Sequence, residues 1–438
     1  MKKVILSVFA AVMIFSASGS EDIHVSPYEV IRDLGGRHIR IASPWPYLPF
    51  RPATELDRML HDQMRRISYE YNIFFSEILI DHGDIMPTLR SSVMSGRPFA
   101  DIVMLGGDMV LPAITGNLIY ALEEFVPHDS PLWGEHPSTL RPSASFLDFY
   151  WTFAPHALNL EGMFLGVNMG IIRGIGAADP LDLYEKGEWT FEHFREIMIQ
   201  ATQAGEGWFG ISGSPGDIIT HLIAANDGVM VREFRYAYDD PYTITALDFA
   251  YNILQTDRTW QYEHGIHNRQ ENLFAFLDGR SAFFPISEWV LQQTEITFDH
   301  IIIPFPKGPD NERHYTFMKG FDMGLAVPRG TPNPGDVYTI FEGISQWAAG
   351  DAGLVLERDQ ANLAGVFPSE GDFLRANRIM QEQGKFDMGL AVSTFSWMNG
   401  FLAEGFMNGD INVTVGIERF RQPQQNILDV ALENWLLH

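Results

Sequence analysis

The chain has 438 residues, more than one ordinary hydrophobic core organises, so two domains are the default expectation. Thirty Lys and Arg against fifty-six Asp and Glu leave a formal charge of −26, which opposes any partner held through its phosphates and excludes nucleic acid. An apolar fraction of 46% with 20% charged residues is that of a folded domain, and the absence of cysteine removes disulfides, thiolate metal sites and a cysteine nucleophile.

Lys2 and Lys3 precede an apolar run from Val4 to Phe15, and small residues from Ser16 to Gly19 lead into Glu21 and Asp22. That order predicts a signal peptide over residues 1–20, with an apolar run shorter than the roughly twenty residues that span a bilayer. The protein is therefore expected outside the cytoplasm, secreted, at the cell surface or in a periplasm. Ala17-Ser18-Gly19-Ser20 resembles the box before the lipidated cysteine of bacterial lipoproteins, except that Ser20 stands where the cysteine belongs; a lipid anchor is not possible in this chain.

After that segment, His38 to Ser43 alternates as a half-buried strand and ends in a Pro-rich turn from Pro44 to Pro52. Leu56, Met59, Leu60, Met64 and Ile67 fall at helical spacing behind Thr54 as N-cap, and a strand over Ile73 to Ile80 follows. A helix is expected over Leu89 to Met94, then a buried strand over Phe99 to Leu105 that stops at Gly106-Gly107-Asp108. Three later helices are predicted by Phe191, Phe194, Ile197, Met198 and Ala201 behind Thr190, by Ala246 to Leu254, and by Tyr338 to Ala348. Strand-like runs lie at Ile301 to Pro304 and Phe321 to Val327. Alternation of this kind predicts an α/β chain with a largely parallel sheet and helices on both faces, crossing from one lobe to another and back. The expected divisions are 21–150 and 151–300 for the first parts of the two lobes, 301–350 for the crossover and return, and 351–438 for a helical part shared by both.

Several stretches, in this order, resemble the family 1 extracellular solute-binding proteins of bacterial ABC importers. Leu89 to Val103 is similar to their helix ending in Ser-Gly, followed by Pro-x-x-Asp and a strand; Gly116 to Glu124 resembles a Gly-x-Leu-x-x-Leu turn. Leu165 to Asn168, Trp189 to Phe194, Phe276 to Trp289 and Ile303 to Pro309 complete the run over roughly residues 38 to 350. The resemblance implies a two-lobe periplasmic-binding-protein-like fold that closes on a ligand held in a cleft, commonly a sugar or oligosaccharide, and hands it to membrane permease subunits. It implies no cofactor, no catalysis and a monomer. Two departures stand out: the missing lipobox cysteine, and Gly166 where relatives often carry an aromatic residue.

The residues alone point the same way. Sugars present apolar C–H faces edged by hydroxyls, so they call for flat aromatic platforms beside planar polar groups. Trp45, Tyr47, Trp151, Trp208, Trp289 and Trp397 fall in turns or at predicted element ends, where a binding surface is built, each with core packing as the plainer alternative. Trp189 reads as a staple before a helix, and Trp347 as core. Asp108 follows two glycines that let a ligand approach, or else caps a helix beginning at Met109; Glu288, Lys319 with Phe321, and Asn168 are the remaining polar and aromatic candidates. Lys319 is one of only four lysines beyond the signal segment.

The competing readings are a secreted glycoside hydrolase and a polysaccharide-binding surface protein. Glu123-Glu124 and Asp239-Asp240 are adjacent in sequence and point apart, so neither spans a sugar ring; both are expected as solvated charge. His264 and His267 lack the acidic neighbours of a metal site, and Gly213-Ser214-Pro215-Gly216 is not a nucleophile elbow. No metal site is expected.

Overall fold

In a computed structural model the described residues run from 28 to 436, apart from 49, 53–54, 134–139, 147, 156–162, 262–268, 312–313, 349–350, 352–353 and 355–365. Thr54, His264 and His267 lie outside them. The chain divides into two compact units, one of residues up to 157 together with 321–358, the other of residues 158–320 and 359–437.

The first unit opens with β1 (Arg37–Ser43), α1 (Glu55–Tyr71), β2 (Ile73–Leu79), α2 (His82–Met94), β3 (Ile102–Leu105) and α3 (Gly107–Thr115). β1 pairs in parallel with β2, Arg37 opposite Ile73, and with β3, Ile41 opposite Ile102. β4 (Leu140–Phe146) and β5 (Phe149–Pro155) form an antiparallel hairpin.

The second unit follows with β6 (Met163–Asn168), α4 (Met169–Ile175), α5 (Pro180–Glu185), α6 (Phe191–Ala204), β7 (Phe209–Ser212) and α7 (Pro215–Ala225). A small ribbon, β8 (Val231–Arg232) with β9 (Arg235–Tyr236), precedes α8 (Pro241–Tyr251), β10 (Trp260–Gln261) and α9 (Arg269–Leu277). Then come β11 (Ser281–Ser287), α10 (Glu288–Gln293), β12 (His300–Ile303) and β13 (Phe317–Lys319).

The chain returns to the first unit for β14 (Gly324–Ala326) and α11 (Pro334–Ser345), then ends in the second with α12 (Glu370–Gln383), β15 (Gly384–Phe386), α13 (Ser393–Asn408) and α14 (Val413–Leu436). The first sheet has the order β2-β1-β3-β14-β5-β4, with the late strand β14 inserted antiparallel between β3 and β5. The second is β10-β7-β11-β6-β12, parallel over its first three strands and antiparallel where β6 meets β11 and β12.

In the first unit Ile39, Ile41, Ile102, Phe153 and Leu325 fill one core with Val337, Tyr338 and Phe341 of α11. α11 lies so close to α1 that a Cβ on Gly343 would sit 2.6 Å from Ile67 Cδ1, so glycine is what permits the approach. In the second unit Trp189 is fully buried, with Nε1 donating to Pro304 O at 3.0 Å and Phe194 and Phe283 against its rings; standing just before the Thr190 N-cap and packed on Phe194 in the first turns of α6, it is the expected staple and a core residue at once.

Several local expectations need correction. α2 begins at His82, well before Leu89: Gly83 and Pro87 look like turn residues, while Ile85 and Leu89, one turn apart, are the buried positions that hold the helix down. Only Gly324–Ala326 of the expected strand from Phe321 pairs in the sheet. The acidic pairs are not simply solvated. Glu123 accepts from Tyr150 N at 2.9 Å, and Glu124 accepts from Ala121 N and pairs with Arg329 at 2.8 Å. Asp239 pairs with Arg421, while Asp240 caps α8 through Tyr242 N and pairs with Arg232.

Candidate functional site

In the first unit β1, β2 and β3 run parallel, so their carboxyl ends share one edge of the sheet, the edge at which open α/β sheets take ligands. β1 ends at Ser43, whose buried hydroxyl donates to Trp45 O at 2.7 Å. The Pro-rich turn beyond it is pinned from β2: Glu77 Oε1 accepts from Tyr47 N at 2.5 Å and from Leu48 N at 2.8 Å. Trp45 is 44% exposed on this anchored turn, and Tyr47 packs partly buried against the core. An indole on a turn anchored in this way presents a flat apolar face to solvent.

β3 ends at Leu105 and leads straight into α3. A Cβ on Gly107 would lie 2.0 Å from Phe321 O, so only glycine lets the two segments touch. Gly106 takes the N-cap position and Asp108 falls in the first turn, two places after the cap. The Asp108 carboxylate meets the imidazole of His82, which opens α2 at the end of β2, with His82 Nε2 4.0 Å from Asp108 Oδ1.

Three candidates are buried. Trp151 donates through Nε1 to Phe146 O at 3.2 Å, and Phe321 packs edge-on against Phe146 in the first unit. Asn168 ends β6 in the second, its Oδ1 accepting from Ile171 N at 3.2 Å to cap α4. These side chains hold elements together.

In the second unit the parallel strands β7 and β11 end at Ser212 and Ser287. Beyond Ser212, Gly213 has φ +132°, and a Cβ there would meet Pro285 Cδ at 2.6 Å. Glu288, half-buried, opens α10 and accepts from Gln292 Nε2 at 2.7 Å; Trp289 follows on the same helix, its side chain outside the described residues. Trp208, half-buried, precedes β7 beside Gly205. Lys319 ends β13, its carbonyl accepting from Asp387 N at 2.9 Å. Trp397 is 51% exposed on α13, with exposed Phe401 one turn further on.

Trp45, Tyr47 and Asp108 thus share one sheet edge of the first unit, and Glu288 and Trp289 follow a strand end of the second. Lys319, Trp208 and Trp397 stand on separate elements of the second unit. Sequence reasoning missed Glu77, hidden inside an apolar strand, and His82, whose only signal is the Asp81-His82-Gly83 turn directly after that strand. An exposed indole can stack on apolar C–H faces, and a carboxylate and an imidazole can each hydrogen-bond a hydroxyl; the first unit carries all three at this one sheet edge. Among the described residues no group of three or more His, Asp and Glu is placed to hold a metal ion, and no helix is long and apolar enough to cross a membrane.

No family model matches the chain, and no curated protein sequence does. Solved structures do match. An ABC substrate-binding protein from Listeria monocytogenes, in complex with cycloalternan, is 13% identical with a TM-score of 0.62 over 92% of this chain and 99% of its own. The cyclic alpha-maltosyl-1,6-maltose binding protein from Arthrobacter globiformis is 13% identical with a TM-score of 0.63, over 90% and 99%. UgpB from Mycobacterium tuberculosis, in complex with glycerophosphocholine, is 14% identical with a TM-score of 0.61, over 92% and 100%. The chain therefore has the fold of the ABC substrate-binding proteins, as its sequence resemblance implies.

Proposed function

We propose that this chain is an extracytoplasmic solute-binding receptor that takes up a sugar or oligosaccharide and delivers it to the permease subunits of an ABC importer. The observation that carries the reading is the exposed Trp45 on a turn pinned by Glu77, at the strand-end edge that also bears Asp108. Ring stacking on the indole and hydroxyl bonds to the carboxylate together match the two faces of a sugar. The reading includes capture by closure of two lobes, work as a monomer, and no chemistry on the ligand; ATP is used by other subunits.

A panel of maltotriose, mannotriose and glycerophosphocholine, followed by thermal unfolding and Trp fluorescence, tests it. A ligand that binds only the native state raises the unfolding temperature. One of the two trisaccharides is expected to do so, and Trp45→Ala is expected to weaken that binding more than about tenfold while leaving unliganded unfolding unchanged. Stabilisation by glycerophosphocholine alone would replace the sugar by a phosphodiester as ligand. New reducing ends released from a polysaccharide would overturn the receptor reading in favour of a hydrolase.

A further inference from the structure

The sheet order β2-β1-β3 places the starts of α2 and α3 two strands apart, about 10 Å, on either side of the end of β1. Two side chains nevertheless meet across that gap. His82, first residue of α2, brings Nε2 to 4.0 Å from Oδ1 of Asp108 in the first turn of α3. Residue 106 borders the space in which they meet: a Cβ there would lie 3.1 Å from His82 Nε2 and 3.0 Å from Asp108 Oδ1, so glycine leaves both side chains where they are. Both side chains remain open, 55% and 41% exposed.

A separation of 4.0 Å is too long for a direct hydrogen bond, which needs about 2.7 to 3.2 Å. It is the right width for one hydroxyl between them. An oxygen about 2.8 Å from each atom subtends an angle of about 90°, which a hydroxyl accommodates when it accepts from the imidazole N–H and donates to the carboxylate. The geometry points to His82 and Asp108 as a paired clamp for a single sugar hydroxyl, with His82 the specificity-determining partner that the sequence does not reveal. This rests on the sugar-receptor reading. The pair selects a group that both donates and accepts: an ether or a deoxy position leaves one side unmatched, and an anion is repelled by the carboxylate.

The test is a double-mutant cycle on the full chain, with maltotriose and mannotriose as probes in calorimetric titrations of wild type, His82→Leu, His82→Gln, Asp108→Asn and the His82→Leu/Asp108→Asn double variant. His82→Leu is expected to weaken binding about tenfold, the loss of one hydrogen bond. His82→Gln, which keeps a planar N–H donor, is expected to recover to within about threefold of wild type. The double variant is expected to be no weaker than Asp108→Asn alone within about twofold, because a shared hydroxyl makes the two losses overlap. Since both side chains are open, unliganded unfolding should be unchanged in each. Wild-type affinity in His82→Leu alongside a weakened Asp108→Asn would show Asp108 acting alone, and multiplicative losses in the double variant would show two separate contacts; either result overturns the clamp. If neither trisaccharide binds wild type, the sugar reading itself fails and the clamp falls with it.

Discussion

Asp101 of the first unit and Asp387 of the second are both buried almost completely, and these two carboxylates are answered in opposite ways. Asp101 of the first unit, 3% exposed, is met by cations: Arg37 Nη2 at 2.9 Å and Arg40 Nε at 3.1 Å, with Arg40 N adding a third donor at 3.0 Å. Asp387 of the second, 2% exposed, is met by peptides alone: Met230 N and Gly389 N at 2.7 Å each and Val231 N at 3.3 Å. The nearby Lys385 turns away, its Nζ bonding to Asp227. Burial pushes the Asp387 carboxyl above its ordinary range, against the pull of those three amides and of Lys385. Full hydrogen bonding satisfies a buried acid without neutralising it, whereas a guanidinium does both.

Three measurements would break or sharpen that contrast, beginning with the largest expected effect. Asp101→Ala strips two arginines and a strand amide of their acceptor and is expected to cost about 3 kcal/mol, read as a drop in urea resistance; Arg40 is partly exposed, which keeps the loss from being larger. A loss under about 1 kcal/mol would mean that water replaces the carboxylate and that the pairing is incidental. Asp387→Ala removes the acceptor of three buried amides without stranding a cation, so a loss of about 2 kcal/mol is expected, smaller than at Asp101. The reverse ranking would show that peptide donors, not cations, carry the greater share.

The smallest effect is a matter of pH. Because the native carboxyl of Asp387 holds its proton more tightly than the ordinary carboxyl, near 3.8, its contribution is complete at pH below that value and is lost as the pH rises through the elevated native one. Asp387→Asn keeps an acceptor oxygen and does not titrate. Wild type should therefore lose stability relative to this variant between pH 4 and pH 7.5, by a fraction of the alanine effect. A constant difference over that range would mean that the three amides keep the acid fully ionised.

Much of the chain was legible because its patterns are local. The alternation of His38 to Ser43, the helical spacing from Leu56 to Ile67 and the stop at Gly106-Gly107-Asp108 each need only a few neighbouring residues, and β1, α1 and the start of α3 follow them. The fold class and the resemblance to solute-binding receptors came from the same kind of signal, and the shared fold of the solved structures agrees with them. Where turn residues sat inside an element the reading failed, as at Gly83 and Pro87 of α2.

What the sequence by itself determined was the type and order of the elements, because a period of two or of 3.6 is written into consecutive side chains. Tertiary structure alone decided which elements became neighbours: β14, more than two hundred residues beyond β3, lies beside it, and that return buries Phe321 against Gly107. It decided too that Trp151 packs inward while Trp45 stays open, and that His82 reaches Asp108. Strand pairing and the burial of one indole rather than another depend on contacts between residues far apart in the chain, about which no local pattern carries information.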